Sequence, residues 1–86
     1  MPDITVYSSS LCGYCHAAKR LLQSKDLEFD EVLVDRQPQL RAEVMRKSGQ
    51  RTVPQIWIGE THVGGYTDLA ALEQSGELDR LLAGHR

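Results

Sequence analysis

The sequence predicts an α/β fold, a four-stranded mixed β-sheet flanked by helices in the order β-α-β-α-β-β-α(-α). Three observations predict it. Two β-favouring runs, Ile4-Thr5-Val6-Tyr7-Ser8 and the stretch carrying Leu27, Phe29, Val32 and Val34, are separated by a segment of helical periodicity. That segment is long enough for a parallel crossover. Further on, the runs Gln55 to Ile58 and Thr61 to Val63 flank Gly59-Glu60 as the arms of a tight antiparallel hairpin, although the glycine comes first. A parallel half followed by an antiparallel half gives one mixed sheet with helices on both faces.

The elements follow in order. The first strand runs into the polar cluster Ser8-Ser9-Ser10, which reads as a loop. From Gly13 to Ser24, Ala17, Ala18, Leu21 and Leu22 recur at helical spacing with His16, Lys19, Arg20 and Gln23 between them, so Cys12 lies at the mouth of the first helix. The second strand is expected to reach Asp35. Pro38 suits the first turn of the second helix, Leu40, Val44 and Met45 supply its buried stripe, and Lys47 with Gly49 close it before Gln50. After Gly64-Gly65, Thr67 or Asp68 is expected to cap a third helix carrying Leu69, Ala70 and Leu72. Gly76 breaks that helix, and Leu78, Leu81 and Leu82 form a last turn or two. No repeat, linker or low-complexity segment interrupts the order, and residues 1–86 read as one domain.

A chain of 86 residues with 41% hydrophobic and 26% charged side chains holds one core and has no room for a second. The net charge of -2, with both signs mixed along the chain, leaves no basic stripe for nucleic acid. No apolar run approaches the roughly 20 residues that span a bilayer, and the N-terminus lacks the basic and apolar stretches of an export signal. These features set the expectation of a soluble, cytoplasmic monomer without a membrane partner.

Two cysteines are too few for a disulfide scaffold, and their spacing decides the reading. Cys12-Gly13-Tyr14-Cys15 places two thiols at a helix start, where unpaired N–H groups and the positive end of the helix dipole stabilise a thiolate. Cys12, the outermost, is the expected nucleophile. Cys15, one turn further in and shielded from a large substrate, is the expected resolving thiol. Lys19 and Arg20 lie towards the wrong end of the helix and read as a solvated face. A purely structural disulfide would close too small a loop to remove much unfolded-state entropy. Zinc usually asks for a second cysteine pair or a spaced histidine pair, and only His16, His62 and His85 remain. With His16 the pair also matches the C-x-x-C-H pattern of haem attachment. Against haem stand the missing export signal, the strand-rich chain and Met45 as the only internal axial methionine. Dithiol exchange is the strongest reading.

Three motifs carry a resemblance that covers nearly the whole chain. Cys12-Gly13-Tyr14-Cys15 after a strand, Arg51-Thr52-Val53-Pro54 before the third strand and Gly64-Gly65-Tyr66-Thr67-Asp68 before the third helix together resemble a dithiol glutaredoxin of the bacterial type, with a thioredoxin-like fold. Thioredoxins instead tend to carry Trp-Cys-Gly-Pro-Cys and an extra N-terminal strand and helix. Redoxins dedicated to ribonucleotide reductase generally lack the Gly-Gly-x-x-Asp element. The resemblance implies glutathione-dependent reduction of protein disulfides and of protein–glutathione mixed disulfides through Cys12. The partners implied are glutathione and disulfide-containing or glutathionylated proteins.

It also implies a cis Val53–Pro54 peptide, with Thr52, Val53 and Pro54 forming a platform on which the Val53 N–H and C=O meet the cysteine of glutathione as an added strand would. A Pro directly before a strand cannot donate into the sheet, and a cis peptide there would turn the Val53 backbone towards the cysteines; an ordinary edge-strand proline is the alternative. Gly64 and Gly65 permit close backbone approach, and the N–H groups of Thr67 and Asp68 at a helix start form an anion site for the γ-glutamyl carboxylate. The Asp68 side chain receives the ligand's ammonium, caps the helix, or does both. By position, Arg41 is where relatives place a residue for the glycyl carboxylate, which a guanidinium grips bidentately; a solvated surface arginine is the alternative. Tyr14 offers an aromatic wall and a hydroxyl beside Cys12. Arg51 is a weaker candidate, Trp57 reads as core, and Tyr66 fills a slot that varies in the family.

Two departures matter. Relatives often carry Lys where Ser9 stands and Pro where Gly13 stands. The first removes a cation near the Cys12 thiolate; the second restores a backbone N–H and loosens the loop. Members with a small residue in place of that Pro tend to bind a [2Fe-2S] cluster, held by Cys12 and a glutathione thiolate from each of two chains, and this is the alternative expectation.

Overall fold

A computed structural model describes residues 3–84, so His85 lies outside the described residues. The elements are β1 Ile4–Ser8, α1 Gly13–Ser24, β2 Asp30–Leu33, α2 Pro38–Ser48, β3 Gln55–Ile58, β4 Thr61–Gly64, α3 Tyr66–Ser75 and α4 Glu77–Gly84. The strands form one sheet in the order β2-β1-β3-β4. β1 runs parallel to β2, with Val6 opposite Glu31, and antiparallel to β3, with Val6 opposite Ile56. The β3–β4 hairpin turns at Gly59, whose φ of 59° is the left-handed geometry that a glycine adopts without strain.

Two periodicities build the core. Alternation along the strands puts Ile4, Val6, Ile56 and Ile58 on one face, and helical spacing brings Ala18 and Leu22 of α1, Leu69 of α3 and Leu78 of α4 down onto them. At the far end of α1, Lys25 ties three helices together, its ammonium 2.8 Å from Glu73 and 2.9 Å from Asp79. Hydrogen bonds to those two carboxylates raise the Lys25 pKa. The other face of the sheet carries Tyr7 and Trp57 in an edge-to-face pair at 5.4 Å, with His62 against Trp57 at 4.6 Å. Trp57 is therefore half-buried on this second face, outside the main core cluster.

Three local expectations are corrected. β2 covers only Asp30–Leu33, because β1 pairs with those four residues alone. Leu27 and Phe29 pack on the core before the strand begins, and Val34 is buried just after it. Of the expected α2 stripe only Val44 is buried, with Leu40 and Met45 half-buried. Neither Thr67 nor Asp68 is the N-cap of α3, since the helix starts at Tyr66 and Gly65 caps it. Asp68 closes the helix start from the inside, its carboxylate accepting the Gly65 N–H at 3.1 Å.

Candidate active site

Cys12 has extended backbone angles and is the N-cap of α1, so it stands where the loop turns into the helix. Its Sγ accepts the backbone N–H of Cys15 at 3.2 Å. Both cysteines are free, Cys12 part-exposed and Cys15 fully buried. Burial first, and then the hydrogen bond with Cys12, pushes the Cys15 thiol up to about 12. One helical turn thus separates an accessible sulfur from one held as a thiol.

The loop that delivers Cys12 is fastened from across the parallel pair. Ser9 donates its hydroxyl to Asp35 Oδ1 at 2.6 Å, and Ser10 donates its hydroxyl at 2.6 Å and its N–H at 2.8 Å to Oδ2. The two serine hydroxyls and the Ser10 N–H hold the Asp35 carboxyl down at about 2. Ser9 is therefore a loop anchor. A second anchor lies one residue earlier, where Ser8 donates to Glu31 Oε2 at 2.7 Å and Lys19 Nζ pairs with the same oxygen at 2.7 Å. Lys19 is therefore a partly buried ion-pair partner and not a solvated helix face, because β2 lies alongside α1 and offers it a carboxylate. Lys19 and Ser8 together lower the Glu31 pKa. Arg20 is exposed, as expected.

Beside Cys12, the Val53–Pro54 peptide is cis, and the Cys12 thiol donates to the Val53 carbonyl at 3.5 Å. Here a groove of about 330 Å³ runs between the α2–β3 loop and the start of α3. Tyr14, Thr52, Val53, Pro54, Gly65, Thr67 and Asp68, all singled out in the sequence, line it. Two further residues complete it. Gln50 follows the Gly49 cap of α2, and Tyr66 closes the roof by stacking on Tyr14 at 6.2 Å. Tyr66 lies inside the Gly-Gly-x-x-Asp motif at a position to which no local pattern assigns a role, and Gln50 offers no signal beyond sharing a loop with Thr52. Arg41 sits outside the groove, exposed on α2, where its charge acts on Asp35. Arg51 is likewise exposed and off the groove wall.

A cysteine pair at a helix start, a cis proline facing it and an adjacent groove ending on a helix N-terminus make a thiol-exchange site. The family model for glutaredoxins matches residues 4–63 of this chain. The chain belongs to the glutaredoxin family. A glutaredoxin from Pseudomonas aeruginosa is 57% identical over 96% of this chain and 99% of its own length. The solution structure of a Brucella melitensis glutaredoxin superposes with a TM-score of 0.86 at 50% identity, covering 95% of this chain and 89% of that one. A buckwheat glutaredoxin solved as a complex with glutathione superposes with a TM-score of 0.90 at 28% identity, over 96% of this chain and 78% of that one. Like other glutaredoxins, the chain is a glutathione-linked thiol–disulfide oxidoreductase with a thioredoxin-like fold.

Proposed function

We propose that this glutaredoxin reduces protein–glutathione mixed disulfides and protein disulfides through Cys12, with electrons from glutathione. The observation that carries the reading is the meeting of the Cys12 sulfur with the Val53 carbonyl at one edge of a groove that also holds the Thr67 and Asp68 helix start. A bound tripeptide would lay its cysteine along Val53, its γ-glutamyl carboxylate on the N–H groups of Thr67 and Asp68, and its ammonium on the Asp68 carboxylate. Thr52, Pro54 and Gly65 shape the floor, and Tyr14 forms the wall nearest Cys12. Arg41, outside the groove, contributes longer-range attraction for the glycyl carboxylate, which salt screens.

For a glutathionylated protein, the Cys12 thiolate attacks the glutathione sulfur, the S–S bond breaks, and the protein leaves as a thiolate that takes up a proton. A second glutathione thiolate then attacks the Cys12–glutathione disulfide. Glutathione disulfide leaves and the Cys12 thiolate returns. For a disulfide within a protein, Cys12 forms a mixed disulfide with one of its sulfurs. Cys15 loses its proton and attacks Cys12, which releases the reduced protein and leaves a Cys12–Cys15 disulfide for glutathione to reduce. Turnover of a glutathionylated peptide and of an intraprotein disulfide by wild type, Cys12→Ser and Cys15→Ser tests this division of labour.

Gly13 favours a second reading. It is exposed, and nothing lies within 4 Å of the place a side chain would occupy, so the approach to Cys12 is open on that side. With Cys15 buried, one chain offers a single thiolate, and a [2Fe-2S] cluster would need Cys12 from two copies and two glutathiones. Anaerobic reconstitution with iron, sulfide and glutathione tests it: a brown dimer supports the reading, and a colourless monomer removes it.

A further inference from the structure

On the face of the sheet opposite the main core, one buried side chain reaches from the strands into the loop that carries Val53. Gln55, fully buried at the start of β3, donates its amide nitrogen to the Thr52 carbonyl at 2.9 Å and to Gln50 Oε1 at 2.9 Å. Its oxygen meets His62 Nε2, on β4, at 2.7 Å. The direction of this chain of bonds follows from the groups themselves. A peptide carbonyl only accepts, so the Gln55 nitrogen faces Thr52 and the oxygen faces His62. His62 must then carry a proton on Nε2. Stacking on Trp57 fixes the ring in place.

A buried amide is costly unless its hydrogen bonds are made, and an apolar side chain would fill a strand position at less risk. One of the Gln55 bonds falls on the peptide unit between Thr52 and Val53. The Thr52 C=O and the Val53 N–H belong to the same trans peptide, whose planarity points them in opposite directions. Holding the carbonyl inward on Gln55 turns the Val53 N–H outward, into the groove beside Cys12. We infer that Gln55, oriented by His62, is a positioning residue that aims the Val53 N–H at glutathione. The inference rests on the groove reading given above, and deepens it by naming what sets the platform.

The test is steady-state kinetics on a glutathionylated peptide with Gln55→Leu, His62→Phe, His62→Gln and, as a direct groove control, Asp68→Ala. Phe keeps the stack on Trp57 but cannot donate, whereas the Gln side chain restores an N–H donor to Gln55. Gln55→Leu and His62→Phe are expected to raise KM about tenfold, the scale of one lost buried hydrogen bond, with kcat little changed. His62→Gln is expected to recover most of the loss. The His62 pair keeps the test open should Gln55→Leu fold poorly, and nitrogen NMR of wild type is expected to find the His62 proton on Nε2. The inference is overturned if both variants lower the melting temperature but leave KM unchanged while Asp68→Ala raises it, if His62→Gln is as impaired as His62→Phe, or if the ring proton sits on Nδ1. Should Asp68→Ala also leave KM unchanged, the groove reading falls and the inference with it.

Discussion

The Cys12 thiol meets the Val53 carbonyl at 3.5 Å across 41 residues of sequence. The proposed nucleophile and the proposed glutathione platform are thus parts of one surface, although one belongs to the mouth of α1 and the other to the loop before β3. The short approach places a disulfide lying along Val53 within reach of Cys12, and it leaves Cys15 behind the reacting sulfur.

The two cysteines should therefore fail differently when replaced. Cys12→Ser removes the only accessible attacking sulfur and should abolish turnover of every disulfide. Cys15→Ser should retain most of the removal of glutathione from a mixed disulfide, which a second glutathione completes. The same variant should lose much of the reduction of an intraprotein disulfide, because no thiol remains to attack the Cys12 mixed disulfide from within the chain. Activity surviving in Cys12→Ser, measured on both substrates, would reverse the assignment.

Burial pushes the Cys15 thiol from 9.0 to about 12, so it should stay protonated while Cys12 reacts. Iodoacetamide applied to the native protein between pH 7 and about pH 10 should label Cys12 and spare Cys15. The linked stability has a definite sign. With the folded value raised, this thiol's contribution is complete below pH 9 and is lost as pH rises through about 12. Peptide mapping after alkylation checks the first statement and melting curves across the alkaline range check the second; equal labelling of both cysteines would contradict the shift.

Much of this site is legible in the sequence, and the parts that are not have separate physical causes. The β1 alternation and the α1 periodicity end at Ser8 and begin at Gly13, which alone places Cys12 at a helix mouth. The hairpin is equally local, with Gly59 between two short runs. Leu27 and Phe29 mislead because an extended apolar segment packs on the core whether or not a neighbouring strand pairs with it. Gly65 hides as a cap because it has no side chain to announce the role, and Thr67 and Asp68 have the side chains a cap usually shows. Ser9 with Asp35, Lys19 with Glu31 and Gln55 with His62 are side-chain bonds between elements. No local pattern encodes such pairs, since each exists only after the sheet has formed.

The Asp35 clamp gives a further expectation. Asp35→Ala should lower both the melting temperature and kcat/KM, the latter several-fold, because three hydrogen bonds that fasten the Ser9–Ser10 loop next to Cys12 disappear together. The folded value is depressed to about 2, so the clamp contributes fully above the ordinary carboxylate value of 3.8 and is lost only as pH falls through about 2. Across the neutral range the clamp should be insensitive to pH. A wild-type-like rate in Asp35→Ala would show that the loop holds Cys12 without it.

Two glycines beside the site should respond oppositely to the same small change. Gly64 ends β4 with φ of 116°, a backbone region that side-chain-bearing residues rarely enter, and a Cβ there would collide with the Asp68 carboxylate. Gly64→Ala must therefore strain the backbone and, in addition, push Asp68 off the Gly65 N–H, opening the start of α3. A loss of about 1–3 kcal/mol is expected from the strain alone. KM for a glutathionylated peptide should rise with it, because the displaced carboxylate is the group assigned to the ligand's ammonium. Gly13, by contrast, is the first residue of α1, with nothing within 4 Å of its would-be Cβ. Gly13→Ala restricts the unfolded chain and suits the helix, so it should leave stability unchanged or raise it by up to about 1 kcal/mol. Paired thermal melts and KM measurements decide the matter. A Gly64→Ala protein as stable as wild type, with an unaltered KM, would mean that the Asp68 carboxylate has room to move and is not held by the contact that Gly64 permits.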